Sequence, residues 1–267
     1  MGKTIGILSL KGGVGKTSVV ASLGSAIASL GKDVLLVDGN FSAPNLGMHL
    51  NVVDPDITIH HVLSGSHNIT DSVMSMDDFN FDFIPASIFY NKGINVLRLK
   101  DKLKNLKDYY DFIILDSSPA MNDETLAVML ASDEIFIVTT PDYPTLSMTL
   151  KSIKEAKSRN IRIDGLILNR VYGKPFELTI DQIEDTAEVP VLAVIPEDVN
   201  VAKSVSRFTP AYIQNPRSGG SREYRKLAGV VSGEKGPDYG FRRFMKFQLS
   251  PRRQDVNREI FYERVFG

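Results

Sequence analysis

Leu10-Lys11-Gly12-Gly13-Val14-Gly15-Lys16-Thr17-Ser18 follows an apolar run, Thr4-Ile5-Gly6-Ile7-Leu8, and precedes an Ala/Ser/Leu-rich helical pattern from Thr17 to Leu30. Strand, glycine-rich turn, helix is the setting of a phosphate-binding loop. Glycines let successive backbone N–H groups converge on phosphate oxygens, and the helix N-terminus adds partial positive charge. In that reading Lys16 reaches the outer phosphates and the Thr17 hydroxyl ligates a magnesium ion.

The general motif is G-x-x-x-x-G-K-[ST]; here its first glycine falls on Leu10, and a second lysine, Lys11, sits just inside. The form K-G-G-V-G-K-T resembles the deviant phosphate loop of the MinD/ParA family of dimerising ATPases. The resemblance covers about residues 1–231 and runs nearest to the MinD branch. It implies a P-loop NTPase of the SIMIBI type, with ATP/ADP and Mg2+ as cofactors and Gly12 to Ser18 around the phosphates. It also implies that Lys11 crosses the interface of an ATP-bound homodimer to offset transition-state charge on the partner's nucleotide.

Working outward, Asp33-Val34-Leu35-Leu36-Val37-Asp38 and Asp111-Phe112-Ile113-Ile114-Leu115-Asp116 are apolar strands that each end in a carboxylate. A strand-end aspartate is where magnesium is held in such loops, and Asp116-Ser117-Ser118-Pro119-Ala120 resembles the family's D-[ST]-P segment that senses the third phosphate. Asp38-Gly39-Asn40 occupies the family's first switch, where D-x-D is usual. Asp38 is thereby expected near the metal. Asn40, an amide, orients water through its carbonyl oxygen but cannot take a proton from it at neutral pH. Slow hydrolysis is the expected result.

The resemblance assigns adenine recognition to Asn169 and Arg170, after the strand Leu166-Ile167-Leu168, and to the loop Pro196-Glu197-Asp198. A helix N-cap accounts equally well for Asp198. The histidines, His49, His60, His61 and His67, show no metal-hydrolase spacing, and no Ser/His/Asp arrangement is legible.

Strands alternating with helices, most strands being unbroken Val/Ile/Leu runs, point to an α/β fold: a doubly wound, mostly parallel sheet covered on both faces. Ligands in such sheets bind beyond the carboxyl ends of the strands, where all these residues fall. The pattern predicts short helices over 57–64 and 68–75, and a helix over 94–107 with Leu97, Leu99, Leu103 and Leu106 as core contacts. At 267 residues, with roughly 100–200 per domain, one large α/β unit suffices. No apolar run approaches the ~18 residues of a membrane span, and the first strand leaves no room for a signal peptide. The absence of cysteine excludes disulfides and the thiolate-held iron–sulfur clusters found elsewhere in the family.

Net charge is −1, yet residues 241–267 carry seven Arg/Lys against three Asp/Glu. We therefore divide the chain into an ATPase unit (1–231), a connector (232–240) and a basic tail (241–267). Phe241-Arg242-Arg243-Phe244-Met245-Lys246-Phe247-Gln248-Leu249 reads as a short basic amphipathic helix suited to an anionic membrane surface. Ile260–Gly267 is a second aromatic-rich candidate. Packing on the core and DNA binding are the alternatives, the phenylalanine face fitting DNA less well. The expectation is a cytoplasmic spatial-positioning ATPase, peripheral at the membrane if the tail anchors it, with an unidentified protein activator or cargo. The competing expectations are a ParA-type DNA-segregation ATPase and a nearly non-hydrolysing scaffold.

Overall fold

The computed structural model describes residues 2–90, 93–234 and 252–267. The apolar runs pair as one sheet: β1 (Lys3–Leu8), β2 (Val34–Gly39), β3 (Met74–Met76), β4 (Phe81–Ile84), β5 (Phe112–Ser117), β6 (Glu134–Thr139), β7 (Gly165–Val171) and β8 (Val191–Pro196). Their order is β3-β4-β2-β5-β1-β6-β7-β8, all parallel except β3, which runs antiparallel to β4. β1, β2, β5 and β6 are buried almost throughout, as a parallel sheet covered on both faces requires.

The helices are α1 (Lys16–Ala28), α2 (Leu46–His49), α3 (Ile59–Ser64), α4 (Leu99–Leu103), α5 (Asp123–Ala131), α6 (Tyr143–Ser158), α7 (Ile180–Ala187), α8 (Val199–Ser206), α9 (Ala211–Gln214), α10 (Gly219–Val231) and α11 (Arg253–Phe266). Most longer ones start on a side-chain cap that takes an otherwise orphaned N–H. Asn122 accepts from Thr125, Asp142 from Thr145, Thr179 from Gln182, Asp198 from Asn200 and Ser218 from Ser221. α1 differs: it begins at Gly15 in the left-handed conformation (φ 85°), with no side-chain cap. Its N–H groups are left for an external acceptor.

Two apolar layers sandwich the sheet. One gathers α1, α9, α10 and α11 through Val19, Leu23, Ile27, Tyr212, Leu227 and Phe261. The other gathers α3 to α7 through Leu63, Leu103, Val128, Ile153 and Ile183. α1 is buried on nearly every side because α10 covers the face it turns away from the sheet.

Two sequence expectations are corrected. The stretch 94–107 is a 3-10, α, 3-10 succession in which Leu99, Leu103 and Leu106 are buried but Leu97 is 47 % exposed. Only i, i+4 and i+7 from Leu99 keep one face. Residues 68–75 are a 3-10 turn (Ile69–Ser72) leading into β3, not a helix.

For the tail, packing on the core is one of the readings the sequence leaves open. Residues 253–266, aromatic-rich end included, form α11 on the β8 edge of the sheet. Phe261 is 1 % exposed, with its ring centroid 5.9 Å from that of Phe136. Asn257 Nδ2 donates to Val191 O at 2.8 Å and to Glu184 Oε1 at 2.5 Å. Arg258 Nη1 donates to Leu192 O at 2.7 Å. α11 thus supplies partners to backbone carbonyls of an edge strand, one way in which proteins blunt such edges. The Phe241–Leu249 stretch lies outside the described residues. No helix among the described residues is long and apolar enough to cross a membrane.

Candidate functional site

The phosphate loop bridges the carboxyl end of β1 and the uncapped start of α1. Gly13 (φ 80°) and Gly15 (φ 85°) hold left-handed conformations that L side chains resist. Gly12 and Gly13 have nothing within 4 Å of where a Cβ would stand, so that rim is open. At Gly15 a Cβ would run into the Asn169 amide nitrogen.

β2 and β5 are register neighbours with Asp38 opposite Asp116. Both side chains are fully buried, and Lys16 Nζ pairs with Asp116 Oδ1. Thr17 Oγ1 donates to Asp116 Oδ2 at 2.7 Å. The structure thus brings Lys16, Thr17, Asp38 and Asp116 together from elements far apart in sequence. Two buried carboxylates against one lysine leave negative charge uncompensated, the environment a divalent cation fits.

The Asp38 carboxyl is pushed up to about 7, chiefly by burial and then by Asp116. The Asn40 and Leu46 N–H groups, at 3.1 and 3.0 Å, and Lys16 oppose the shift. Between the ordinary Asp value and about 7 the folded chain therefore holds a proton that the unfolded chain has released. Stability should fall as pH rises through that window and level off above it. In magnesium-free buffer, denaturation midpoints at pH 5 and pH 8 should differ less for Asp38→Asn than for the parent; an unaltered difference would remove Asp38 as its source.

The first-switch segment wraps Asp38. Asn40 is 3 % exposed; its Nδ2 donates to Ala43 O, and its Oδ1 is buried with no hydrogen-bond partner. In this conformation Asn40 fastens its own loop. Ser42 Oγ donates to Glu124 Oε1 at the start of α5.

Lys11 is half-exposed and folds onto its own chain, 2.6 Å from Thr145 Oγ1 and 3.3 Å from Asp142 Oδ1. Burial works against the Asp142 carboxylate, but hydrogen bonds from Thr140, Thr145 and Lys11 outweigh it and hold the carboxyl below its usual range.

The expected base-binding residues are assembled differently from one another. Asn169 Nδ2 donates to Val14 O at 2.7 Å, and Arg170 Nη1 to Gly13 O at 3.1 Å. Both therefore brace the phosphate loop. The Asn169 amide keeps its oxygen and second proton for another ligand. Glu197 pairs with Arg170 at 2.9 Å, Asp198 caps α8 through the Asn200 N–H, and Pro196 ends β8. Ser18 lies half-buried in the first turn of α1.

Sequence reasoning missed Asp142 and Thr145 as the resting partners of Lys11, and His60, which contacts the first switch. The D-x-x-T pattern ahead of a helix marks a cap, but nothing local links it to Lys11.

A sequence family described as an AAA domain matches residues 2–163. An uncharacterized ATP-binding protein of Methanocaldococcus jannaschii is 32 % identical, over 88 % of this chain and 89 % of its own. The sporulation initiation inhibitor protein Soj of Bacillus subtilis is 29 % identical, over 87 % and 99 %. Among solved structures, the septum site-determining protein MinD of Pyrococcus horikoshii, complexed with Mg-ADP, superposes with a TM-score of 0.81. It is 32 % identical, with 90 % of this chain and 98 % of that one covered.

Proposed function

Because this chain belongs to the MinD/ParA family of P-loop ATPases, we propose that it binds Mg-ATP, dimerises through it, hydrolyses it slowly and positions a cellular structure. The convergence of Lys16, Thr17, Asp38 and Asp116 beneath the uncapped start of α1 carries this reading. Thr17, Asp116 and Asp38 are the residues that would hold magnesium, whose chemistry is to neutralise charge on the phosphate oxygens. Lys16 would leave Asp116 for the outer phosphates. Lys11 would leave Asp142 and Thr145 for the second protomer's nucleotide. Asn169, freed of neither loop nor sheet, would present its amide oxygen and second proton to adenine, beside the 196–198 loop.

Slow turnover follows from Asn40, which offers no carboxylate to the attacking water. Sedimentation should show a dimer with ATP and a monomer with ADP. Steady-state phosphate release should rise about tenfold or more on Asn40→Asp, general-base contributions being of order 10²–10⁴. A monomer under both nucleotides would sink the dimer switch, and unchanged turnover would end the role given to Asn40.

A membrane role rests on the 241–249 pattern. Truncation before residue 241 is a poor test of it, because it also deletes α11 and uncovers the β8 edge. Phe244→Ser with Phe247→Ser in the full chain is the cleaner change, read by ATP-dependent pelleting with anionic vesicles.

One observation favours a second reading, an ATPase that binds DNA. Lys203, Arg207, Arg217 and Arg222 on α8 to α10 are exposed and make no ion pair among the described residues. The nearby acids are engaged elsewhere: Glu197 with Arg170, Asp198 in a cap, and Glu223 with Arg258. DNA affinity that falls steeply with salt would select this reading.

A further inference from the structure

His60 lies in α3, 3 % exposed, and neither the phosphate loop nor the metal-holding set includes it. Its ring spans two segments. Nε2 is 3.0 Å from the Phe41 carbonyl oxygen, and Nδ1 is 3.2 Å from the Ser87 N–H after β4. The Ser87 N–H can only donate, so Nδ1 carries the lone pair. Nε2 therefore carries the proton and donates to Phe41. The ring stacks on Tyr90 (centroids 5.0 Å, 27°) and meets Phe41 edge-on at 5.9 Å. Its helix is pinned to the sheet by the Ile59 N–H, 2.8 Å from Pro85 O. Burial moves the imidazole below its ordinary pKa, in line with a neutral ring.

The bridge bears on a two-residue stretch held at both ends. Asn40 and Phe41 are consecutive: the Asn40 N–H is held by Asp38 Oδ1 at 3.1 Å, and the Phe41 C=O is held by His60. The switch backbone is thus fixed on both sides of the Asn40 side chain, by a strand end and by a helix that is itself tied to β4.

We propose that His60 is a positioning residue for the reaction: through Phe41 it sets where Asn40 stands relative to the phosphate loop. The inference rests on the ATPase reading above. Positioning residues act on rate through geometry, and a displacement of about 1 Å costs up to about 10²-fold.

The two contacts can be separated by substitution. His60→Gln places an amide N–H at the reach of Nε2 and keeps the Phe41 contact. His60→Asn places an acceptor at the position of Nδ1 and keeps only the Ser87 contact. The expected result for His60→Asn is a fall in kcat of about tenfold with KM for ATP within about twofold, while His60→Gln stays within about threefold of the parent. Amide exchange across Phe41–Leu46 should quicken by about tenfold in His60→Asn and little in His60→Gln. Matching kcat and exchange in His60→Asn and the parent would overturn the proposal. Equal loss in both variants together with a lowered melting temperature would do the same, since that marks packing. A parent chain that does not turn over ATP would refute the ATPase reading instead, and the exchange comparison would still decide whether His60 sets the switch.

Discussion

Lys16→Ala should abolish ATP turnover, with phosphate release falling at least about 10³-fold, towards background. Removing one preorganised donor to developing charge costs about 10²–10³ in rate, and Lys16 carries a full charge in a site where only 8 % of its side chain is exposed. The loss has a second source. Asp38 and Asp116 are both fully buried at adjacent strand ends, and Lys16 pairs directly with the second. Without the ammonium, two neighbouring carboxylates face each other in a low-dielectric setting, and the site that should receive phosphates becomes more repellent to them. Nucleotide binding should therefore fail along with turnover, which equilibrium titration with a fluorescent ATP analogue would read. Turnover within tenfold of the parent would remove Lys16 from the phosphate site.

Arg258→Ala should be strongly destabilising although it lies outside the site. Arg258 is 0 % exposed, with Nη1 3.0 Å from Glu223 Oε2 and 2.7 Å from Leu192 O, and Nη2 paired with Asp255. Its guanidinium stays charged because Glu223 and Asp255 outweigh the opposing effect of burial. Alanine would leave Glu223, whose side chain is only 8 % exposed, paired with Lys226 alone at 3.1 Å. Breaking a buried pair from one side costs about 3–5 kcal/mol. At about 2–4 °C per kcal/mol for a chain of this class, the melting temperature should drop by about 6–20 °C. Arg258→Met combined with Glu223→Met should recover much of that loss, because an apolar replacement of the whole pair leaves no unpaired charge. A drop of under about 2 °C in the single variant would mean that α11 is not fastened through this residue.

The phosphate loop and the two strand-end aspartates were legible because their geometry is local: glycines, one apolar run and one carboxylate each decide a few residues of backbone. The helices 123–131 and 143–158 carry their own caps, Asn122 and Asp142, and so were also legible. β3 was not, since three residues on an antiparallel edge give no periodicity to read. The sequence leaves α11 open between membrane, core and DNA for a different reason. A basic, aromatic stretch has the same composition whether it faces lipid or a sheet edge, and what separates the two here is distant in sequence: Glu184, Glu223, Val191 and Phe136. His60 went unnoticed because its meaning lies in Phe41 and Ser87, on two other segments. Asn169 was singled out, but its hold on Val14 is a contact only the folded chain reveals.

The strand order has a consequence for how the molecule comes into being. β1 is made well before its neighbours in the sheet, β5 and β6, residues 112–117 and 134–139. Until those residues are made the nascent chain carries the phosphate loop with no flanking strand to fix it, and the unpaired Ile5-Gly6-Ile7-Leu8 segment stays adhesive meanwhile. Long-range parallel pairing of this kind is slow to close. β8 then waits for residues 253–266 to be made before α11 covers it. Ribosome pausing before β5 and β6 are made would thus lengthen exposure of the centre of the sheet, and loss of the codons for α11 would leave the β8 edge bare.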